Sequence, residues 1–479
     1  MINGLKPYPA MTVTEVPWLG QIPAHWKLQR GKWLFKKMDR PVRDADEVVT
    51  CFRDGTVTLR KNRRLRGFTE SLKEIGYQGI RRGDLVIHAM DAFAGAIGVS
   101  DCDGKGTPVY SVCQPGQTSN SFYFALLLRE MARNQWIQAL AKGIRERSTD
   151  FRFEDFGSLV MPLPSLPEQG AIVRFLDYWD WRIRRYIRAK RKLIKLLEEQ
   201  KQTIVDRAVT RGLDPSVRLA PSRVEWLGDL PNHWEVVRLK SLVSRVTSGS
   251  RGWSNFASDS GVLFIRIANL TRSSIDIDLD NVVRLLLPRR VLGEAARTRV
   301  RPNDILISIT AYIGSVGVVP VGFEEAYVSQ HVACCRPRPS AANPRWIGYV
   351  LLSNVGQTHG RLTMYGGTKH GLSLDDVKNY IIPLPPSSEQ NQIVEWIEQN
   401  SLGIDSALRS TKCEILRLME YRARLIGDVV TGKLDVRDVA ARLPSEPEDS
   451  EVIDEVSTEF SPNAELADVL DEELEPIEA

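Results

Sequence analysis

A nine-residue phrase occurs twice in this chain, as WLGQIPAHW at 18–26 and as WLGDLPNHW at 226–234, with six of nine positions identical. Longer matches follow in the same order. RRGDLVIHAMDAFAGAIGV (81–99) parallels RPNDILISITAYIGSVGV (301–318), and MPLPSLPEQGAIVRFLD (161–177) parallels IPLPPSSEQNQIVEWIE (382–398). Both series close alike, with DRAVTRGLD (206–214) against GDVVTGKLD (427–435). The duplicated unit of roughly 210–220 residues is too long for a solenoid repeat, so the chain must build one design twice.

Each copy has two parts. The first holds short β-branched runs (LVIHAM, VLFIRIA, DILISI) broken by Gly, Asn and Pro, the pattern of an α/β or α+β domain. The second begins at PLP-xxx-EQ. Proline is tolerated at a helix start, and Glu168 and Glu389 there face the positive end of the helix dipole. The helices run to about Val209 and Val430. In the first, Ile172, Leu176, Trp179, Ile183, Tyr186, Ile194, Leu197, Ile204 and Ala208 follow a 4,3 spacing. The same register in the second carries Ile393, Ile397, Asn400, Ile404, Ala407, Ile415, Leu418, Leu425 and Val429. Sustained seams of this kind predict coiled-coil pairing, each helix being the other's obvious partner. An antiparallel pair would relate the copies by a pseudo-twofold axis; the alternative is a long amphipathic helix packed on its own domain. The predicted fold class is α+β, with two α/β domains joined by two long antiparallel coiled-coil helices.

Charge is unevenly spread. From Ala441 to Ala479 there are 14 acidic residues against one basic residue, Arg442, which reads as an acidic disordered tail. The first 440 residues hold 63 basic and 46 acidic side chains, a balance that favours a polyanionic partner. No apolar run approaches bilayer length, and MINGLKPYPAMTVTEV lacks the layout of a signal peptide. The six cysteines form no CxxC pair, in keeping with reduced thiols in the cytoplasm.

The catalytic inventory is nearly empty. The sequence has no GxxxxGK[ST] phosphate loop, no HExxH metal pair, no GxGxxG and no NPP-aromatic or DPP-aromatic methylase tetrapeptide. HVACC (331–335) lies in a strand-like run where buried cysteine is common, so no metal site is assigned. Asp84 and Asp304 follow turns, where Asp serves local hydrogen bonding. Candidate phosphate or base contacts are Arg60, Lys61, Arg63, Arg64, Arg66, Lys142, Arg145 and Arg147 in the first copy. The second copy offers Arg266, Arg272, Arg361 and Lys369, with further arginines at 284, 289, 290, 297, 299 and 301. The helix stretch RIRRYIRAKRK (182–192) fits a duplex, a hydrated face or a protein partner equally. Between the matched blocks, 27–75 and 235–298 differ, as two scaffolds presenting different loops would.

These motifs, doubled and in order over about residues 8–440, resemble the specificity (S) subunit of type I restriction–modification systems. The resemblance implies target recognition domains at 1–165 and 223–385, a central conserved helical region at 166–222 and a distal one at 386–440, with the tail at 441–479 outside it. It implies a bipartite double-stranded DNA target, two methyltransferase (M) subunits docked on the helices, and restriction (R) subunits in the full complex. S-adenosylmethionine, ATP and Mg2+ would sit on those partners, leaving this chain with no cofactor, no catalytic residue and no chemistry of its own. Two other classes compete. A self-contained methyltransferase or nuclease is opposed by the missing motifs, and a coiled-coil scaffold without a DNA role is opposed by the basic body.

Overall fold

The computed structural model describes residues 5–63, 75–141, 150–364 and 371–444. Arg64, Arg66, Lys142, Arg145, Arg147, Lys369 and the tail from 445 onward lie outside the described residues. Two long helices, Leu166–Arg211 and Ser387–Val430, dominate the chain, as the apolar spacing requires. At 1.5 Å per residue they extend over roughly 69 and 66 Å. Two compact units divide the chain, one of 1–190 with 413–453, the other of 191–412 with 454–479. Each unit therefore combines part of one helix with part of the other. The architecture is α+β.

In the first unit, β1 (Lys27–Arg30) and β2 (Phe35–Lys37) lead into β3 (Leu85–His88), β4 (Ile97–Val99), β5 (Tyr110–Pro115) and β6 (Val160–Leu163). An antiparallel sheet of order β2-β5-β3-β4 forms the centre, and β6 pairs separately with β1. Helix Ser121–Arg133 packs Tyr123, Phe124, Leu127 and Leu128 into a core shared with Ile172, Phe175 and Leu176 of the first long helix and Val429 and Val430 of the second.

The second unit repeats the plan. β7 (Glu235–Arg238), β8 (Val243–Ser248), β9 (Ile305–Ser308), β10 (Val316–Val318), β11 (Val332–Pro337) and β12 (Ile381–Leu384) give a sheet of order β8-β11-β9-β10 and a separate β7-β12 pair. Helix Pro344–Leu352 fills the place of Ser121–Arg133. The units diverge in their added strands. The second carries a four-stranded sheet built around Val262–Ile265, whereas the first carries two separate hairpin-like pairs.

Along the long helices Ile172, Leu176, Ile183, Ile393, Ile397, Ile404, Ile415 and Leu425 are buried, and Ile194, Leu197, Ile204 and Leu418 are half-buried. The seam departs from the expected register in its middle. Tyr186 is 62% exposed while the neighbouring Ile187 is buried, and Ser401 and Leu408 are buried in place of Asn400 and Ala407. Lys201, buried on the first helix, pairs with Asp405 of the second at 2.7 Å. Within the first unit, Asp180 pairs with Arg422 and Lys190 with Glu414, so residue numbers rise along one helix as they fall along the other.

Candidate nucleic-acid interface

The repeated phrase and PLP-xxx-EQ meet in each unit. In the first, β6 takes in Pro162 and Leu163, so the motif ends a strand before its helix begins at Leu166. Glu168 is buried; it accepts a hydrogen bond from Tyr8 Oη at 2.8 Å and lies 3.0 Å from His25 Nε2 of the phrase. Burial, followed by the adjoining Glu168 carboxylate, pushes the Tyr8 hydroxyl far above its usual range. In the second unit His233 Nε2 lies 2.8 Å from Glu389, and the Trp234 indole donates to the same carboxylate at 3.1 Å. The indole of Trp234 thus does for Glu389 what the phenol of Tyr8 does for Glu168. Gly20 and Gly228 turn the phrase with φ of +65° and +72°, a region open to glycine.

The glutamine of the motif has a second task. Gln169 accepts the Asn120 backbone N–H at 2.8 Å and donates to the carbonyls of Thr118 and Pro164. Asn120 is the N-cap of helix Ser121–Arg133. Gln390 likewise accepts the N–H of Asn343, the N-cap of helix Pro344–Leu352, at 2.8 Å. Each EQ pair therefore clamps the phrase with its carboxylate and the start of a domain helix with its amide. The sequence shows both motifs doubled, but the His–Glu link spans 143 and 156 residues and only their joint duplication hints at it.

Asp84 and Asp304 are also structural. Each is buried and accepts the N–H of the residue three before it, from Arg81 and Arg301 at 2.8 Å. A guanidinium neutralises each, Arg40 in the first unit and Arg336 in the second. Burial raises the Cys334 and Cys335 thiols well above their ordinary value, as befits inert core residues. No group of three metal-ligating side chains occurs among the described residues.

The candidate basic residues separate by environment. Arg63 is largely enclosed, paired with Asp54 at 2.6 Å and stacked on Phe52. Arg266 is buried, with its guanidinium 3.4 Å from the Asn281 carbonyl. Arg60 reaches Thr50, and Lys61 pairs with Glu47 at 2.5 Å. Arg272 and Arg361 are exposed, the first bonded to the Ile313 carbonyl and the second to Thr358. The second unit presents another group, Arg289, Arg290, Arg297 and Arg301, all exposed and without an ion pair among the described residues. They flank or belong to the short helix Leu292–Thr298, beside the divergent sheet. On the first long helix Arg184 is committed to Asp180, Arg182 stacks on Trp179, and Arg188, Arg191 and Lys192 are exposed. No helix among the described residues is long and apolar enough to cross a membrane.

Residues 231–408 match the family model described as the type I restriction modification DNA specificity domain. The chain is 24% identical over 281 residues to the specificity subunit of the type I restriction enzyme EcoBI of Escherichia coli, a match covering 57% of this chain and 58% of that one. It thus spans less than two thirds of that relative. It is 22% identical over 321 residues to the MjaVIII specificity subunit of Methanocaldococcus jannaschii, covering 66% of this chain and 70% of the relative. Among solved structures, a chain from work on complex assembly and conformational transition of the type I R-M system matches with a TM-score of 0.55 and 19% identity. That match covers 85% of this chain and 98% of the other, and it concerns the fold.

Proposed function

We propose that this chain, a relative of type I restriction specificity subunits whose residues 231–408 match their DNA specificity domain, selects a bipartite DNA sequence and performs no chemistry itself. Target recognition domains at 1–165 and 223–385 each read one half-site. The helical regions at 166–222 and 386–440 form an antiparallel coiled coil that sets the spacing, and M subunits dock on it, joined by R subunits. S-adenosylmethionine, ATP and Mg2+ belong to those partners, and the assembly works in the cytoplasm.

One observation carries this reading. Both units keep the same sheet order and the same EQ clamp, while the segments mounted on them differ. A common frame with unlike surface pieces suits reading two different short sequences, because frame contacts position and loop contacts specify. The exposed arginines at 289, 290, 297 and 301 sit on such a piece. The reading is tested by co-expressing the chain with M subunits and mapping methylated bases. Exchanging residues 251–301 for those of a relative should alter one half of the methylated site and leave the other half and the spacer intact. Changes in both halves, or methylation by the purified chain alone, would contradict it.

A further inference from the structure

The turn from β3 to β4 has its counterpart in the turn from β9 to β10, and the two are built differently. In the first unit eight residues (89–96) make the connection, passing through a helical turn, Ala92–Ala94, into Gly95 at φ +91°. In the second only seven (309–315) do so. With one residue fewer, Tyr312 takes a left-handed φ of +49°, a conformation that an aromatic residue rarely adopts. It is pinned there. The Tyr312 carbonyl accepts from Ser308 Oγ at 2.6 Å, from Ser315 Oγ at 3.0 Å and from the Ser315 N–H at 3.1 Å, and both serines are buried. Backbone strain that its surroundings over-determine in this way is characteristic of loops that meet a ligand in one fixed shape.

Polar side chains gather on this turn. Arg272, exposed, donates to the Ile313 carbonyl at 2.9 Å, and its guanidinium lies 5.9 Å from the centre of the Tyr312 ring. Gln357 of helix Asn354–Thr363 donates to the Gly314 carbonyl at 2.7 Å, and Arg361, one turn further along that helix, is exposed. The turn is therefore rigid, and cations accompany it.

Two side chains just before β11 form a relay with the same turn. The Gln330 amide donates to His331 Nε2 at 2.9 Å, so His331 carries its proton on Nδ1 and donates it to Thr310 Oγ1, also at 2.9 Å. The imidazole is thus fixed at both nitrogens, and it fixes the amide in turn. Gln330 is half-buried; its second amide hydrogen and its carbonyl oxygen are not used in this relay, and the oxygen makes no hydrogen bond among the described residues. In the first unit Pro108 and Val109 stand where Gln330 and His331 stand, since Val112 lies opposite Val86 as Cys334 lies opposite Leu306. Neither of those side chains can form hydrogen bonds, so the first unit has no such relay at this place.

An acceptor and a donor side by side on one oriented amide fit one base edge. In the major groove adenine presents the N6 amino donor beside the N7 acceptor, whereas guanine presents two acceptors, and a paired amide contact tells them apart. We propose that Gln330 makes this contact to one adenine of the half-site read by the second unit, with Arg272 on a neighbouring phosphate. His331 and Thr310 are positioning residues that hold the amide, and the pinned Tyr312 seats Arg272. The assignment rests on the reading of the second unit as a DNA recognition domain.

The test is binding of the full chain, assembled with M subunits, to duplexes carrying the site mapped by methylation. 7-Deazaadenine, which lacks the N7 acceptor, is placed in turn at each adenine of that half-site except the methylated one. At one position it should weaken binding of the wild-type complex about fivefold or more, the lower end of what a paired base contact is worth. In Gln330→Ala that penalty should vanish, and methylome sequencing should show the same position relaxed while the other half-site and the spacer stay as they were. Thr310→Val should shrink the penalty at that position alone, which a general loss of folding would not do. No penalty at any adenine, an undiminished penalty in Gln330→Ala, or relaxation at a pair other than A·T would overturn the adenine contact and leave the two-domain reading standing. A wild-type complex that selects no site would overturn that reading as well.

Discussion

Replacing Gln169 by Leu keeps side-chain volume and removes an amide that is fully buried and makes three hydrogen bonds, one accepted and two donated, at 2.8–2.9 Å. The same change at Gln390, 2% exposed, removes two, to the Asn343 N–H and the Pro385 carbonyl, both at 2.8 Å. At roughly 1–1.5 kcal/mol per bond, Gln169→Leu should cost about 3–4.5 kcal/mol and Gln390→Leu about 2–3 kcal/mol. Both losses fall on the start of a domain helix, so they should surface locally. Hydrogen exchange read by mass spectrometry on peptides covering 121–133 and 344–352 measures each opening separately. Gln169→Leu should speed exchange in the first peptide and leave the second unchanged; Gln390→Leu should do the reverse, with the smaller effect. Equal costs, a larger cost at Gln390, or either loss below about 0.5 kcal/mol would refute the clamp.

Three further outcomes follow from other parts of the molecule. Asp405→Asn strands the buried Lys201 ammonium and should cost about 3 kcal/mol in urea unfolding, while Lys201→Met with Asp405→Leu should recover most of it. Replacing Arg289, Arg290, Arg297 and Arg301 by Ser should flatten the salt dependence of DNA binding by the assembled complex, reducing the log–log slope by up to about 3–4; an unchanged slope would remove that face from the interface. Partial desolvation, then the neighbouring Asp180 charge, pushes Asp177 up to about 6. An acid with a raised pKa in the folded state lowers stability as pH climbs from about 4 to 6, so Asp177→Asn should raise Tm at pH 7.5 and leave it unchanged at pH 3.5.

The doubled motifs, the two long helices and the core strands LVIH and ILIS are all legible in the sequence, because apolar periodicity and repetition are local signals. The middle of the seam is not. The buried positions are Ile187, Ser401 and Leu408, each one residue past the Tyr186, Asn400 and Ala407 of the expected register, and the polar Lys201 and Thr411 are buried there as well. Lys201 is tolerated inside because Asp405 meets it from the other helix, a partner 204 residues away. Basic residues mislead for a similar reason. Arg63 and Arg266 read as surface cations, yet Asp54 and Phe52 engage the first and the Asn281 carbonyl the second. Arg289, Arg290, Arg297 and Arg301 are exposed, with no carboxylate paired to them among the described residues, whereas Arg299 between them meets Glu325.

The most direct measurement of the account concerns the helices as a ruler. Inserting four residues at one matched level into both long helices adds about 6 Å, with a rotation close to one full turn. Methylome sequencing of cells carrying this variant with its M subunits should return both half-sites unchanged and a spacer longer by about two base pairs, since a turn of roughly 10 base pairs advances about 34 Å. An unchanged spacer with altered half-sites would contradict the claim that recognition lies in the two domains and spacing in the helices.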